Sequence, residues 1–371
     1  MKKVILFGGS FDQIHNGHIM IAEAAKKQLK ADEVVIILSR SPRWKQPYAS
    51  VEDRLNMIKL AIKDLDGFTF STFEIDNNSE CDYSINTVRY FVNNSNLSNE
   101  DCKFYWLIGK DQVNQLDKWY EIDELAKLVQ FVYYDRGDDN DTNNNVSKYN
   151  VLRIEGKCFD ISSTMIREIK SLEINENVLD YIKINNLYYF AKINNYLDSS
   201  RYEHSFSVAK WSKRIAEKNN IDGNKAFIAG LFHDIAKCIN KDESIKLMNE
   251  YFPNIKDMPT WSLHQFNSAT IAKNEFGIID ENILNAISVH ATGKGNMSPL
   301  AQIVYSADKI DPLRNYDSSS LIDACLHDYN KGFLDVLKEN KEYLIKQGKN
   351  YNNNPFSAEC FAFYLKDQWG E

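Results

Sequence analysis

Long apolar runs are missing from this 371-residue chain, and so are paired cysteines and any excess of positive charge. No stretch approaches the ~18 apolar residues that a membrane span requires. The opening MKKVILFGG has two lysines and an apolar start, but the run stops at Gly8, too short for an export segment. A cytoplasmic protein without a membrane partner is expected. Six cysteines, Cys81, Cys102, Cys158, Cys238, Cys325 and Cys360, show no CxxC spacing, which argues against a disulfide framework and for reduced thiols. The formal net charge of -8 argues against a protein that grips long nucleic acid through a basic face. Phosphorylated small molecules stay open, because a few local donors can bind a phosphate inside an acidic protein. No internal repeat is visible.

A chain of this length points to two domains, and 43% hydrophobic residues suffice for two cores. Two textures follow one another. Residues 1–188 alternate short β-rich runs with amphipathic helical segments. Val4–Phe7, Val34–Leu38, Phe68–Ile75, Phe104–Ile108, Val129–Tyr134 and Val151–Ile154 read as strands, with helices at about 17–29, 51–64, 83–94 and 121–127. That order predicts a Rossmann-like parallel sheet wound with helices. The polar, asparagine-rich stretch 135–150 reads as a mobile surface loop. Residues 189–371 carry helical periodicity alone, at 202–218, 225–237, 264–275, 281–291, 299–310 and two helices within 317–348, so an all-α domain is expected there. Tyr188–Tyr196 is the expected hinge, or itself the first helix of the second domain.

The first strand runs into Gly8-Gly9-Ser10-Phe11-Asp12, then His15-Asn16-Gly17-His18 and a helix. Glycines let backbone N–H groups approach a phosphate, and the helix start adds partial positive charge. Two histidines three residues apart at a helix entry can face one anion. Near the other end of the domain stands Ile161-Ser162-Ser163-Thr164-Met165-Ile166-Arg167. A serine there caps free N–H groups, and Arg167 lies one turn beyond Ser163 on the same face.

These two runs resemble the GxFDPxHxGH and ISSTxIR elements of the HxGH nucleotidyltransferase superfamily. The segment Trp106–Asp111 followed by Leu116-Asp117-Lys118-Trp119 resembles the IGxDxxxxLxxW stretch of nicotinate-mononucleotide adenylyltransferases. The resemblance covers residues 1–187 and implies transfer of an adenylyl group from ATP, with Mg²⁺, to nicotinate mononucleotide. It implies that His18, with His15 beside it, stabilises the α/β-phosphates, and that the phosphate-facing element of Ile161, Ser162, Ser163 and Arg167 holds the β- and γ-phosphates of ATP, with Arg167 counted among the catalytic residues. Trp119 would stack on the pyridine ring, and Asp111 beside Gly109 would contact sugar or nucleotide. Ser84-Ile85-Asn86-Thr87 resembles the SYTxDT segment less closely, with Thr87 on the mononucleotide, and Lys45 sits where relatives carry a PPHK-like loop. Gln13 replaces the usual proline of FDPxH, which should loosen the turn without removing a reacting group.

Four of the chain's seven histidines, His204, His233, His264 and His290, fall in helical segments of the second half, with Asp234 beside His233 and Asp308 further on. His327 reads as ordinary. Each of these buried polar groups alone would cost about 1–3 kcal/mol if unpaired, and a shared metal relieves all of them together. Imidazole plus carboxylate suits iron, manganese or zinc. The order H…HD…H…H…D is that of the HD domain. Arg201-Tyr202-Glu203-His204, Leu231–Asp234 and Ser306–Pro312 resemble its YqeK-like branch, the symmetrical diadenosine tetraphosphatases, over about residues 196–367. Ala291 and Lys309 depart from that branch's pattern without touching a ligand position. The resemblance implies one or two transition metals, iron foremost, with His204, His233, Asp234 and Asp308 at the first and His264 and His290 helping at a second. Lys237 and Arg201 would contact phosphate.

Alternatives remain at this stage. The helical half could sense nucleotides or mediate homo-oligomers, or hydrolyse dNTPs or cyclic nucleotides. The first half could take nicotinamide mononucleotide or, against the Trp119 segment, phosphopantetheine.

Overall fold

In a computed structural model the described residues are 1–40, 46–77, 83–97, 101–135, 144–156, 161–256 and 258–365. They form two compact units, Met1–Tyr188 and Tyr189–Glu371.

The first unit is built on six strands: β1 (Lys2–Gly9), β2 (Glu33–Leu38), β3 (Phe68–Ser71), β4 (Cys102–Ile108), β5 (Gln130–Asp135) and β6 (Leu152–Glu155). All neighbours pair in parallel, in the order β3-β2-β1-β4-β5-β6. Ile5, Leu6, Ile36 and Ile37 are all fully buried, as expected of central parallel strands covered on both faces. On one face Val4, Leu6, Val35, Phe104 and Trp106 pack with Ile85, Val88, Ile122 and Leu125 from the helices Ser84–Leu97 and Ile122–Leu128. The strand order reverses between β1 and β4, so the crevice beyond their C-terminal ends is where such a sheet binds ligands. Gly8-Gly9 and Gly109 both lie there.

Three expectations need correction. The third strand stops at Ser71, and Phe73–Asp76 turns helical. There the Ser71 hydroxyl takes the Phe73 N–H at 3.2 Å and the Thr72 hydroxyl donates to Asp76 at 2.6 Å, so side chains compete with the sheet ladder. The polar stretch is not loop throughout: Asn144–Lys148 is helical, and buried Asn145 donates to the Val113 carbonyl at 3.0 Å. Residues 136–143 lie outside the described residues. The helices carrying His233 and His290 end at Phe232 and Val289, so both histidines sit at helix ends.

The second unit is built from helices joined by turns, with no strand among its described residues. Its central helix, Pro299–Ile310, is buried on nearly every face, from Leu300 to Asp308. The helix Ser199–Lys218 packs on Gly223–Phe232, where a Cβ on Gly230 would stand 2.8 Å from the Ala209 Cα. Glycine therefore sets how closely these two backbones approach. Three of the longer described helices escape the periodicity reading. Glu176–Ile184 and Lys241–Tyr251 lie where no segment was expected, and the latter buries only Met248; Pro355–Tyr364 is apolar without a clear stripe. No helix among the described residues is long and apolar enough to cross a membrane. Cys102, Cys238, Cys325 and Cys360 are free thiols, and Cys81 and Cys158 lie outside the described residues.

Candidate functional sites

In the first unit, β1 ends at Gly9 and the helix Asn16–Leu29 begins after His15. The turn between them is tightly held. Buried Asp12 accepts from the Tyr48 N–H at 2.8 Å, the Ala49 N–H at 3.2 Å and the Tyr188 hydroxyl at 2.8 Å. Arg167 donates to the Asp12 carbonyl and, at 2.8 Å, to Thr164 Oγ1, while Ser163 Oγ donates to the Gln13 carbonyl at 3.0 Å. Ser162 caps the short helix Ser163–Arg167 by accepting from the Met165 N–H at 3.2 Å. The ISSTMIR run is thus stitched to the glycine turn across 150 residues of sequence. Gln13 itself is fully buried, and its backbone carbonyl is the acceptor for Ser163.

His15 and His18 stack with ring centroids 3.7 Å apart. Gly17 makes room for this, because a Cβ there would stand 3.0 Å from His15 Nδ1. The His15 N–H donates to His18 Nδ1 at 3.2 Å. That nitrogen is an acceptor, so the neutral His18 ring carries its hydrogen on Nε2 and can donate with it. Phe11, buried at φ 39°, packs edge-on to His18 with ring centroids 5.2 Å apart. Ser10 follows the glycines, and its carbonyl accepts from Arg54 at 2.8 Å.

The substrate-selecting candidates are placed more individually. Thr87 is buried and donates to Glu74 at 2.7 Å, which commits its hydrogen. Gly109 precedes the turn Lys110–Val113, which exposes Asp111. Trp119 is half-buried against the sheet core, edge-on to Phe131 at 6.1 Å. Lys45 lies outside the described residues.

Sequence reasoning missed Arg54 and Tyr188. The Arg54 guanidinium is fully buried and clamps the carbonyls of Ser10, Ser39 and Arg40 at 2.7–2.8 Å, joining the ends of β1 and β2. Burial pulls its pKa down, opposed by the nearby Asp12 charge. The signal was available: Arg54 falls on the apolar stripe of its helix with Met57, Ile58 and Ala61. Tyr188 gave no such signal.

In the second unit the four imidazoles and two aspartates converge. Three sets, His204-His233-Asp234, His233-His290-Asp308 and Asp234-His264-His290, each present ligand atoms within 4.8 Å of one another, and all six residues are buried. The sets share members, so His290 reaches Asp308 as well as His264, and Asp234 belongs to both ends.

The imidazoles are aimed by a repeated device. His233 Nδ1 meets the Gly230 carbonyl at 2.6 Å, His264 Nδ1 the Trp261 carbonyl at 2.8 Å, and His290 Nδ1 the Ile287 carbonyl at 2.7 Å. A carbonyl can only accept, so in each neutral ring Nδ1 holds the hydrogen and Nε2 keeps its lone pair. Those lone pairs face one another and a carboxylate. His264 Nε2 lies 3.2 Å from His290 Nε2, and Asp234 Oδ1 lies 3.1 and 3.4 Å from the two. His233 Nε2 is buried without a hydrogen-bond partner. Acceptors crowded this way suit a metal cation. His204 differs: its Nδ1 meets Asp311 at 2.6 Å and its Nε2 Asp308 at 3.1 Å.

Burial and neighbouring charge shift several of these groups. Burial pushes His290 down to about 3 and also lowers His264, although Asp234 opposes both. For Asp234, burial raises the pKa but the His233, His264 and His290 rings outweigh it and hold the carboxyl well below the usual range. Asp308 behaves likewise, with Lys309 and Arg314 the main opposing charges. His204 is pushed up to about 9, because Asp308 and Asp311 outweigh its burial. Arg201 donates to Asp234 Oδ2 at 3.0 Å, and Lys237 Nζ lies 3.0 Å from His264 Nε2, so both cations border the carboxylate.

Asp311 is the residue that motif reading passed over here. Fully buried, it orients His204 and accepts from Ser207 Oγ at 2.6 Å. Carboxylates behind a ligating imidazole typically govern ~10–100-fold of metal affinity. Asp311→Asn is therefore expected to weaken divalent-metal binding by about that factor, measured by competition with a chromophoric chelator. Unchanged affinity would remove His204 from the ligand set.

Residues 6–169 match the family model described as cytidylyltransferase-like, and residues 201–313 match the HD domain. A probable nicotinate-nucleotide adenylyltransferase/Ap4A hydrolase of Mycoplasma genitalium is 35% identical over 86% of this chain and 90% of its own length. The protein of the same description from Mycoplasma pneumoniae is 34% identical over 84% and 90%. A crystal structure of a predicted HD superfamily hydrolase involved in NAD metabolism from Clostridium acetobutylicum is 33% identical, covering 48% of this chain and 97% of that one with a TM-score of 0.44.

Proposed function

Because this chain belongs to the nicotinate-nucleotide adenylyltransferase/Ap4A hydrolase family, we propose that each half carries out its own nucleotide reaction. The first unit joins ATP to nicotinate mononucleotide. The mononucleotide phosphate attacks the α-phosphorus of ATP, a P–O bond forms, and pyrophosphate leaves. No protein nucleophile is required, so alignment and charge stabilisation carry the rate. The His18 Nε2–H donates to a phosphate oxygen as charge builds there, with His15 stacked behind it. Gly8 and Gly9 let backbone approach the phosphates, and Arg167 with Ser162 and Ser163 keeps the turn in shape. Asp111, Trp119 and Thr87 serve the mononucleotide side, Trp119 by offering a ring face. Mg²⁺ bound with ATP would offset phosphate charge.

The second unit cleaves diadenosine tetraphosphate into two ADP. The observation that carries this reading is the set of three imidazoles pinned through Nδ1 with Nε2 turned to Asp234. His204, His233, Asp234 and Asp308 would hold one divalent metal, iron foremost, and His264 and His290 a second. When bound, the metal supplies Lewis acidity and an activated water. Arg201 and Lys237, both beside Asp234, meet the phosphate chain.

The test is a substrate panel on the purified full chain, resolved by anion-exchange chromatography. ATP plus nicotinate mononucleotide is expected to give nicotinate adenine dinucleotide faster than the nicotinamide form reacts. Diadenosine tetraphosphate with iron, manganese or zinc is expected to give ADP alone. AMP plus ATP would overturn symmetrical cleavage, and no cleavage with any metal would overturn the hydrolase.

A further inference from the structure

Beside the metal-ligand cluster, in the second unit, lies a cleft of about 430 Å³. One wall is His264; the others include Lys237, Lys241, Ser244, Trp261 and Leu263. We propose that this cleft is the nucleoside subsite of the hydrolase, with Trp261 as the platform for a purine base and Lys237 and Lys241 receiving the phosphates that follow it. The proposal rests on the reading of this half as an enzyme of nucleotide phosphates.

Size and electrostatics select this ligand class. The volume falls within the range of small-molecule sites, roughly 300–1,000 Å³. The whole chain carries a net charge of -8, yet two lysines and no acidic side chain line the cleft. Such a wall favours an anion over a cation or a basic peptide. Trp261 is 57% exposed, a residue with a large apolar ring lining the same cleft as those lysines. An indole face next to ammonium groups is the combination that binds a stacked base with phosphates attached. Asn267 Nδ2 donates to Ser244 Oγ at 2.7 Å, so the Ser244 hydroxyl keeps its own hydrogen for a ribose or base acceptor.

The cleft is also tied to the chemistry by covalent geometry. The Trp261 carbonyl is the acceptor that fixes His264 Nδ1 at 2.8 Å. Only two residues separate the stacking ring from an imidazole whose Nε2 faces Asp234 at 3.1 Å. Lys237 bridges the same span, with Nζ 3.0 Å from His264 Nε2. A nucleotide seated on Trp261 therefore leads its phosphates past Lys237 toward the carboxylate cluster.

Three variants of the full chain test this: Trp261→Ala, Trp261→Phe and Lys241→Gln. Trp261→Ala is expected to raise KM for diadenosine tetraphosphate by about tenfold, with a much smaller change in kcat, because base stacking is lost while the backbone carbonyl behind His264 stays. Phenylalanine is expected to restore most of the affinity. Lys241→Gln is expected to raise KM and to flatten its dependence on salt. In parallel, titration calorimetry should show weaker ADP binding to Trp261→Ala and unchanged binding of inorganic pyrophosphate. Unchanged KM and ADP affinity in Trp261→Ala would overturn the subsite. Equal losses for ADP and pyrophosphate would too, since they would mean that Trp261 acts only through His264. If the wild type cleaves no dinucleoside polyphosphate, the hydrolase reading fails by itself, and the ADP and pyrophosphate titrations still decide whether the cleft takes a nucleoside.

Discussion

Asp234→Ala is expected to abolish measurable tetraphosphate cleavage, by about three orders of magnitude or more, and to leave dinucleotide synthesis within about twofold of wild type. The size follows from what this one carboxylate does. It is 2% exposed, Oδ1 faces the Nε2 atoms of His264 and His290, and Oδ2 takes Arg201. Removing it leaves several polar groups buried without their common partner and takes a shared ligand from two of the three donor sets. A divalent metal held there would supply Lewis acidity worth several kcal/mol, and about 1.4 kcal/mol corresponds to each tenfold in rate. Metal content by plasma mass spectrometry should fall with the rate. Dinucleotide synthesis by the same preparation serves as the control for intact folding of the other unit. Wild-type cleavage by a metal-depleted Asp234→Ala protein would place the hydrolytic centre elsewhere.

The second large effect belongs to the other half. His18→Ala is expected to lower kcat for nicotinate adenine dinucleotide synthesis by about 10²–10³, the range found when a preorganised donor to a developing oxyanion is removed. KM for ATP should move little, because the glycine turn and its stitching through Arg167 and Ser163 survive. Tetraphosphate cleavage should be untouched. A drop in ATP affinity at constant kcat would instead make His18 a ground-state binding residue. The tautomer supports the stronger expectation: the His15 N–H occupies Nδ1, so the hydrogen that His18 offers is on Nε2.

These two residues also show what a sequence can disclose. Gly8-Gly9 and His15–His18 are contiguous in the chain, and the turn they make is local, so motif and geometry coincide. The central strands are equally legible because each is an unbroken apolar run buried on both faces, as Val34–Leu38 is. The helical half was legible through its polar exceptions, since a histidine among buried apolar residues stands out. Long-range partners were not legible. Asp311 looks like any acidic residue before a proline until His204 is seen 2.6 Å away, 107 positions earlier in the chain. Tyr188 reaches Asp12 over 176 positions, a contact with no periodic or spacing signature. The ends of elements were misjudged for a related reason. His233 and His290 continue the apolar pattern of their helices, but each occupies the residue where its helix closes.

The aim of three imidazoles is set apart from the packing of the helical half. Each of His233, His264 and His290 is steered by a carbonyl of its own chain three positions upstream, so its direction is settled within a single turn. Spacing between the ligands depends on packing among distant helices; bearing does not. Substitutions in the helical core can therefore widen or narrow the cage and retune its affinity for different ions while these three imidazoles keep their heading; His204, oriented by distant Asp311, does not share that independence.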